Sequence, residues 1–122
     1  MPVTYAFRGE LLEVRAVGTY TVSAVKEAFR LALAEPARPT LRALLYDVRE
    51  SAVVGSRTTP EVREVVAFFD ELGDQVGRRV ALLAATDVGY GVMRMVAGWA
   101  EGCGFAVGVF RDPDEAFDWA NR

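Results

Sequence analysis

Histidine is absent from the 122-residue chain. Its absence removes Ser–His and Cys–His nucleophile pairs and the commonest transition-metal ligand together. An enzyme made of this sequence would run on carboxylates, tyrosines and arginines alone, and no pair of these is set by spacing to do so. The chain carries neither a metal-ligand constellation nor a complete cofactor motif, so no cofactor is expected and a non-enzymatic role is favoured. Cysteine occurs once, as Cys103, which rules out an intrachain disulfide and fits a reducing compartment. Concentrated positive charge is also lacking. The net charge is −3 and the arginines are scattered singly apart from Arg78 and Arg79, so no nucleic-acid partner is expected. The apolar runs are strand-length, well short of the ~20 residues that cross a bilayer, so no membrane span is expected. Residues 1–10 show neither a basic segment followed by an apolar one nor an Arg-rich amphipathic pattern. A cytoplasmic location follows as an expectation.

What is present is the composition of a globular protein, with 52% hydrophobic and 25% charged residues. That suffices for one domain over residues 1–122 that folds without staples. No internal repeat, linker or low-complexity tract interrupts it. Val3 to Phe7 and Leu11 to Val17 flank Arg8-Gly9-Glu10 and read as a hairpin. In the second run Leu12, Val14 and Ala16 alternate with Glu13 and Arg15, as in a half-exposed strand near a sheet edge. Val22, Val25, Phe29, Ala32 and Leu33 recur at helical spacing, and Pro36 and Pro39 end that helix. Leu41 to Val48 reads as a buried central strand. A long polar connection from Arg49 to Thr59 leads to a second helix, with Val62, Val65, Val66, Phe69 and Leu72 on its stripe and Gly73 closing it. Arg79 to Ala85 is a further strand, Val92 to Trp99 a third helix, and Phe105 to Phe110 the last strand. Asp112-Pro113-Asp114-Glu115 opens a fourth helix, with Asp112 capping, Pro113 in the first position and Glu115 reaching back.

Strands followed by helices imply parallel pairing through right-handed crossovers. The expected fold is α/β: a mixed five-stranded sheet, made of the N-terminal β-hairpin and parallel βα units, with about four helices on both faces. A site on such a sheet belongs at the C-terminal ends of the parallel strands. Asp47, Thr86, Asp87, Arg111 and Asp112 stand there.

Gly89-Tyr90-Gly91, read as a turn, is comparable to a dinucleotide-binding loop, but Arg94 occupies the place of the third glycine and a packing role is preferred. Tyr90 and Arg94 lie one helical turn apart and form a candidate recognition pair. Asp47, Thr86 and Arg111 match phosphoacceptor receiver positions in part. The acidic pair for Mg²⁺ is missing and the cation is Arg rather than Lys, so Asp47 is expected to bond amides of its own loop. Ser51, Ser56, Thr58 and Thr59 crowd the long connection. Thr59 suits an N-cap, Thr58 with Glu61 suits a capping box, and Ser56, Thr58 and Ser51 are candidate phosphorylation sites near Arg57 and Arg63. Cys103 lies between glycines with no nearby activating cation. Phe68, Trp119 and Leu31 sit at helix margins that suit a dimer patch or an apolar pocket.

With LLYDV at Leu44–Val48, RVALLAATD followed by GVMRM at Gly91–Met95, and VFRDPDEAFDWA at Val109–Ala120, nearly the whole chain resembles the STAS domain family. It resembles in particular the SpoIIAA-like branch, which is related in fold to the CRAL-TRIO lipid-binding domain. The resemblance implies a protein-interaction module. In the anti-sigma-factor antagonists of that family a partner-switching serine follows the third strand in an Asp-Ser-Ser-Gly setting. This chain has no such motif, and Ser51 and Ser56 correspond by neighbourhood alone. Two functions of different class result. The first is a regulatory module binding a protein partner or a second copy through the 49–59 loop and the second helix, switched by Ser or Thr phosphorylation. The second is a carrier of a small apolar ligand or lipid in a pocket bordered by Phe68, Phe69, Tyr90 and Met93. The candidate surface comprises Asp47, Arg57, Phe68, Phe69, Tyr90, Met93 and Arg94, with Tyr90, Met93 and Arg94 forming one wall and the 49–59 loop the other.

Overall fold

Gly9 takes a φ of 60° and lets two residues reverse the chain between β1 (Val3–Arg8) and β2 (Leu11–Ala16), which pair antiparallel from Val3↔Ala16 to Arg8↔Leu11. The computed structural model describes residues 2–122. Helix α1 (Val22–Leu33) leads to β3 (Ala43–Asp47), α2 (Thr59–Leu72) to β4 (Arg79–Leu83), and α3 (Asp87–Gly102) to β5 (Ala106–Phe110), before the closing α4 (Pro113–Ala120). The five-stranded sheet runs in sequence order, β1-β2-β3-β4-β5, with β2 to β5 parallel.

This order fixes where the helices go. Each crossover from β2 onward moves one strand in the same direction, and each is right-handed, so α1, α2 and α3 fall on one face. There Leu12, Val14, Leu44, Tyr46, Val80 and Leu82 meet Val25, Phe29, Val66, Phe69, Met93 and Val96 in the larger core. Phe29 and Phe69 are fully buried, each contributing roughly 1.5–3 kcal/mol by the apolar area it removes from water. The opposite face has α4 alone. Its Ala116 and Ala120, with Phe117 and Trp119, cover Leu45, Ala81 and Leu83. Helices therefore cover both faces as expected, but three to one.

Strand β2 lies beside the edge strand β1, near the sheet edge as its alternation implied. Glu13 and Arg15 reach solvent because α4 packs against β3, β4 and β5 and leaves that end of the face open. The structure corrects several details of the sequence reading. Helix α3 begins at Asp87, so Gly89, Tyr90 and Gly91 lie within its first turns instead of in a loop. Thr86 supplies the reason: its hydroxyl accepts the Gly89 N–H at 3.0 Å, and this cap starts the helix four residues after the end of β4. Thr58, not Thr59, caps α2. At α4 the Asp112 carboxylate accepts the Asp114 N–H at 3.0 Å, while Glu115 stays exposed instead of reaching back.

Candidate functional site

The 49–59 connection crosses the C-terminal ends of β3 and β4, and the chain pins it at both ends. Val48 donates its N–H to the Leu83 carbonyl at 2.9 Å, Gly18 donates to the Glu50 carbonyl at 2.9 Å, and Ala52 donates to the Gly18 carbonyl at 2.8 Å. The Ser51 hydroxyl accepts the N–H groups of Val53 (3.2 Å) and Val54 (3.0 Å) and shares a 2.7 Å hydrogen bond with the Tyr20 hydroxyl. A single 3₁₀ turn follows at Val54–Ser56, with the exposed Ser56 hydroxyl donating to the Val53 carbonyl at 3.1 Å.

Arg57 closes the far end. It donates to the Tyr20 carbonyl at 2.6 Å and to Glu61 Oε2 at 3.1 Å, with its guanidinium 4.9 Å above the Tyr20 ring. The i,i+4 spacing to Glu61 is what a helix N-terminus makes available. Thr58 and Glu61 form the reciprocal capping box, with Thr58 donating its N–H to Glu61 at 2.9 Å and its hydroxyl accepting the Glu61 N–H at 3.3 Å. The backbone N–H of Thr58, then its hydroxyl, hold the Glu61 carboxyl below its usual range. Beneath the loop Tyr20, Tyr46, Arg57, Val62, Met93 and Val96 border a cavity of about 30 Å³, the space of one water. Burial, then the neighbouring Tyr20, push the Tyr46 hydroxyl well above the ordinary phenol value.

The structure distributes the remaining candidates. Asp47 is 2% exposed and faces the α4 side, accepting the Arg49 N–H at 3.0 Å and a two-pronged ion pair from the Arg49 guanidinium at 3.1 and 2.9 Å. The own-loop amide bond expected of it is present, and Asp47 in turn raises the pKa of Arg49. A polar hollow of about 500 Å³ opens beside this pair, between Arg8, Glu13, Asp114 and Phe117. Phe68 and Phe69 are core residues, edge-on to Phe29 at 5.7 Å each, with Lys26 and Arg30 over the Phe68 ring.

Met93 faces the loop, but Tyr90 and Arg94 lie on the other flank of α3, beside Val107 and Val109 of β5. The Tyr90 ring lies 4.8 Å beneath Arg111, which is paired to Asp87 at 2.7 Å. The four residues proposed to border one pocket therefore do not share a cavity, and the wall of Tyr90, Met93 and Arg94 is divided between two sides of one helix. By spacing alone residues 90, 93 and 94 share one broad face, since i,i+3 and i,i+4 neighbours lie together, and only the packing of α3 between the loop and β5 separates them.

Of the three hydroxyls singled out, Ser51 is occupied within the loop, Thr58 is exposed but taken up by Glu61 in the capping box, and Ser56 is exposed with a single bond to a carbonyl. Tyr20 is central to the cluster and was not singled out from sequence. Its position next to Thr21, the N-cap of α1, was the one available signal. Among the described residues, no three His, Cys, Asp or Glu side chains gather where they would hold a metal ion, and no helix is long and apolar enough to cross a membrane.

No protein-family model matches the chain, and no curated protein matches it. Among solved structures it is similar to an uncharacterized protein of the DUF3478 family with a SpoIIAA-like fold, from Shewanella loihica PV-4. That likeness has 18% identity and a TM-score of 0.62, covering 97% of this chain and 91% of the other. Two structures of Mglu, one in its L-glutamate binding form and one in its native form, both in 4.3M NaCl, match 94% of this chain. They do so over only 29% and 28% of their own lengths, at 18% identity and TM-scores of 0.31, values that carry no argument. The fold of this chain is SpoIIAA-like, as its sequence resemblance implied.

Proposed function

We propose that the protein is a non-enzymatic interaction module of STAS type that binds a protein partner through the 49–59 loop and the first turn of α2. The SpoIIAA-like fold supports the class. The observation that carries the location is the preorganised loop: Ser51, Tyr20 and Arg57 hold it from within, while Ser56 presents its hydroxyl at the surface. A partner meeting such a loop has little ordering entropy to overcome. That exposed hydroxyl makes the surface switchable. A phosphate on Ser56 would introduce about −1.5 to −2 charges near the amides that open α2. The carrier reading has less support: the space beneath the loop is about 30 Å³, against roughly 300–1,000 Å³ for ligand pockets, and the apolar hollow of about 510 Å³ between α2 and α3 is shallow and takes in none of Phe68, Phe69, Tyr90 and Met93.

Native mass spectrometry of the protein drawn from the organism that encodes it tests this reading. The expected result is a stoichiometric complex with a second protein that Ser56→Glu dissociates and Ser56→Ala preserves. A protein carrying an apolar small molecule in place of a partner overturns it, as does a complex indifferent to Ser56→Glu.

A further inference from the structure

Strand β5 is an edge strand with unusual exposure. It pairs only with β4, and its sequence, AVGVF, holds no charge and no proline, the two devices that usually keep an edge from recruiting another strand. The other edge is guarded by charge: β1 ends in Arg8, paired to Glu13 at 2.9 Å. The N–H of Ala106 goes to Arg78, and the carbonyl of Phe110 accepts from Ala84, both toward β4. By alternation the main-chain groups of Val107 and Val109 point outward.

The flank of α3 above this edge has a particular pattern. Tyr90, Arg94, Ala97, Gly98 and Glu101 follow one another along a hollow of about 370 Å³ whose floor is Val107 and Val109. Arg94 and Glu101 are exposed, and neither forms a salt bridge among the described residues. The contact of Tyr90 with Arg111 places the start of α3 at the end of β5, so the two run antiparallel. Arg94 therefore stands toward Val109 and Glu101 toward Val107, roughly 10 Å apart along the helix.

We infer that β5 is a homodimer interface, in which β5 pairs antiparallel with β5 of a second copy about a twofold axis at Gly108. Val107 then lies opposite Val109 of the partner, and each exchanges both N–H and C=O with its opposite, in the hydrogen-bonded pairs of an antiparallel ladder. Gly108 meets its own copy at the close, non-hydrogen-bonded position. On the α4 side the exposed Ala106 lies beside the half-buried Phe110 of the other chain, small against large.

The same axis preserves the faces of the sheet, so the two α3 helices run antiparallel side by side above the seam. Arg94 of each then faces Glu101 of the other. Ala97 and Gly98, midway between those charges, lie at the axis and permit an approach of about 8–10 Å between helix axes. One strand and one helix thus supply a surface complementary to itself in backbone, shape and charge, as a twofold contact requires. It lies on the flank of α3 away from the 49–59 loop, so it stands or falls independently of the partner surface proposed there.

Sedimentation velocity over a concentration series tests the interface. The expected result is a dimer at micromolar concentration. Arg94→Glu alone and Glu101→Arg alone each set like charges opposite one another and weaken it about tenfold. The double variant Arg94→Glu/Glu101→Arg restores the original affinity. Val107→Pro removes an outward N–H that β4 does not use, so the monomer stays folded by circular dichroism while the dimer is lost. A wild-type protein that is monomeric up to about 1 mM overturns the proposal, as do a dimer unmoved by the single reversals and a double variant that fails to recover.

Discussion

Ser51 holds the amides of Val53 and Val54 and the phenol of Tyr20 on one half-buried hydroxyl, whereas Ser56 touches a single carbonyl and is exposed. Replacing the first by alanine leaves its partners unsatisfied, at a cost of about 1–3 kcal/mol. Replacing the second stays within about 0.5 kcal/mol. Urea unfolding of Ser51→Ala and Ser56→Ala should separate the two by that margin, and equal midpoints would refute the division between a structural and a free serine. Glu61 gives a pH dependence. Its folded-state pKa is held below the ordinary 4.5 by Thr58, so the capping box stabilises in full above that value and is lost as the pH falls through the lower folded pKa. Glu61→Gln keeps an acceptor but cannot ionise. Its urea midpoint should lie below that of the wild type at about pH 7 and approach it by about pH 3, and a constant offset would count against the assignment.

Among the elements, α3 departs furthest from its sequence reading, and its glycines test the reason. Gly91 lies inside the helix with nothing within 4 Å of an added Cβ. Gly91→Ala should therefore raise stability by about 0.5–1 kcal/mol, the ordinary helical advantage of alanine. Gly89 differs, since a Cβ there would meet Thr86 Oγ1 at 3.0 Å and Val54 Cγ1 at 3.4 Å. Gly89→Ala should forfeit that gain and strain the contact between α3 and the loop. Thermal melts of the two variants rank them, and a destabilised Gly91→Ala would mean that the segment needs a turn conformation after all. The periodic stripes of α1 and α2 were legible because their apolar residues are dense and their stops are proline and glycine. The opening turns of α3 were obscured because Gly89 and Gly91 signal a loop when read alone, and only the Thr86 cap decides otherwise.

At the scale of the whole molecule, the coverage is lopsided. Three helices seal one face of the sheet, while α4 alone keeps Leu45, Ala81 and Leu83 from water on the other. A chain ending at Arg111 should lose its cooperative unfolding transition and aggregate, because exposed apolar area of that size on a sheet face recruits other chains. Differential scanning calorimetry of the truncated chain checks this, and a sharp transition retained without α4 would show the larger core to be self-sufficient.

A family resemblance implied the SpoIIAA-like fold, and local pattern in the sequence determined the order and kind of the strands and α-helices, the parallel run, and the capping box at Thr58 and Glu61. These rest on periodicity and on residues close together in the chain. Tertiary structure alone decided which side chains share a surface. Tyr20 reaches Ser51 and Arg57 across more than thirty positions. Met93 and Arg94, adjacent in sequence, face different sides of α3. Arg94, Glu101 and β5 form one self-complementary edge only after the strand is placed last in the sheet. Local pattern fixes which face of an element is apolar, but what meets that face depends on the packing of elements distant in sequence.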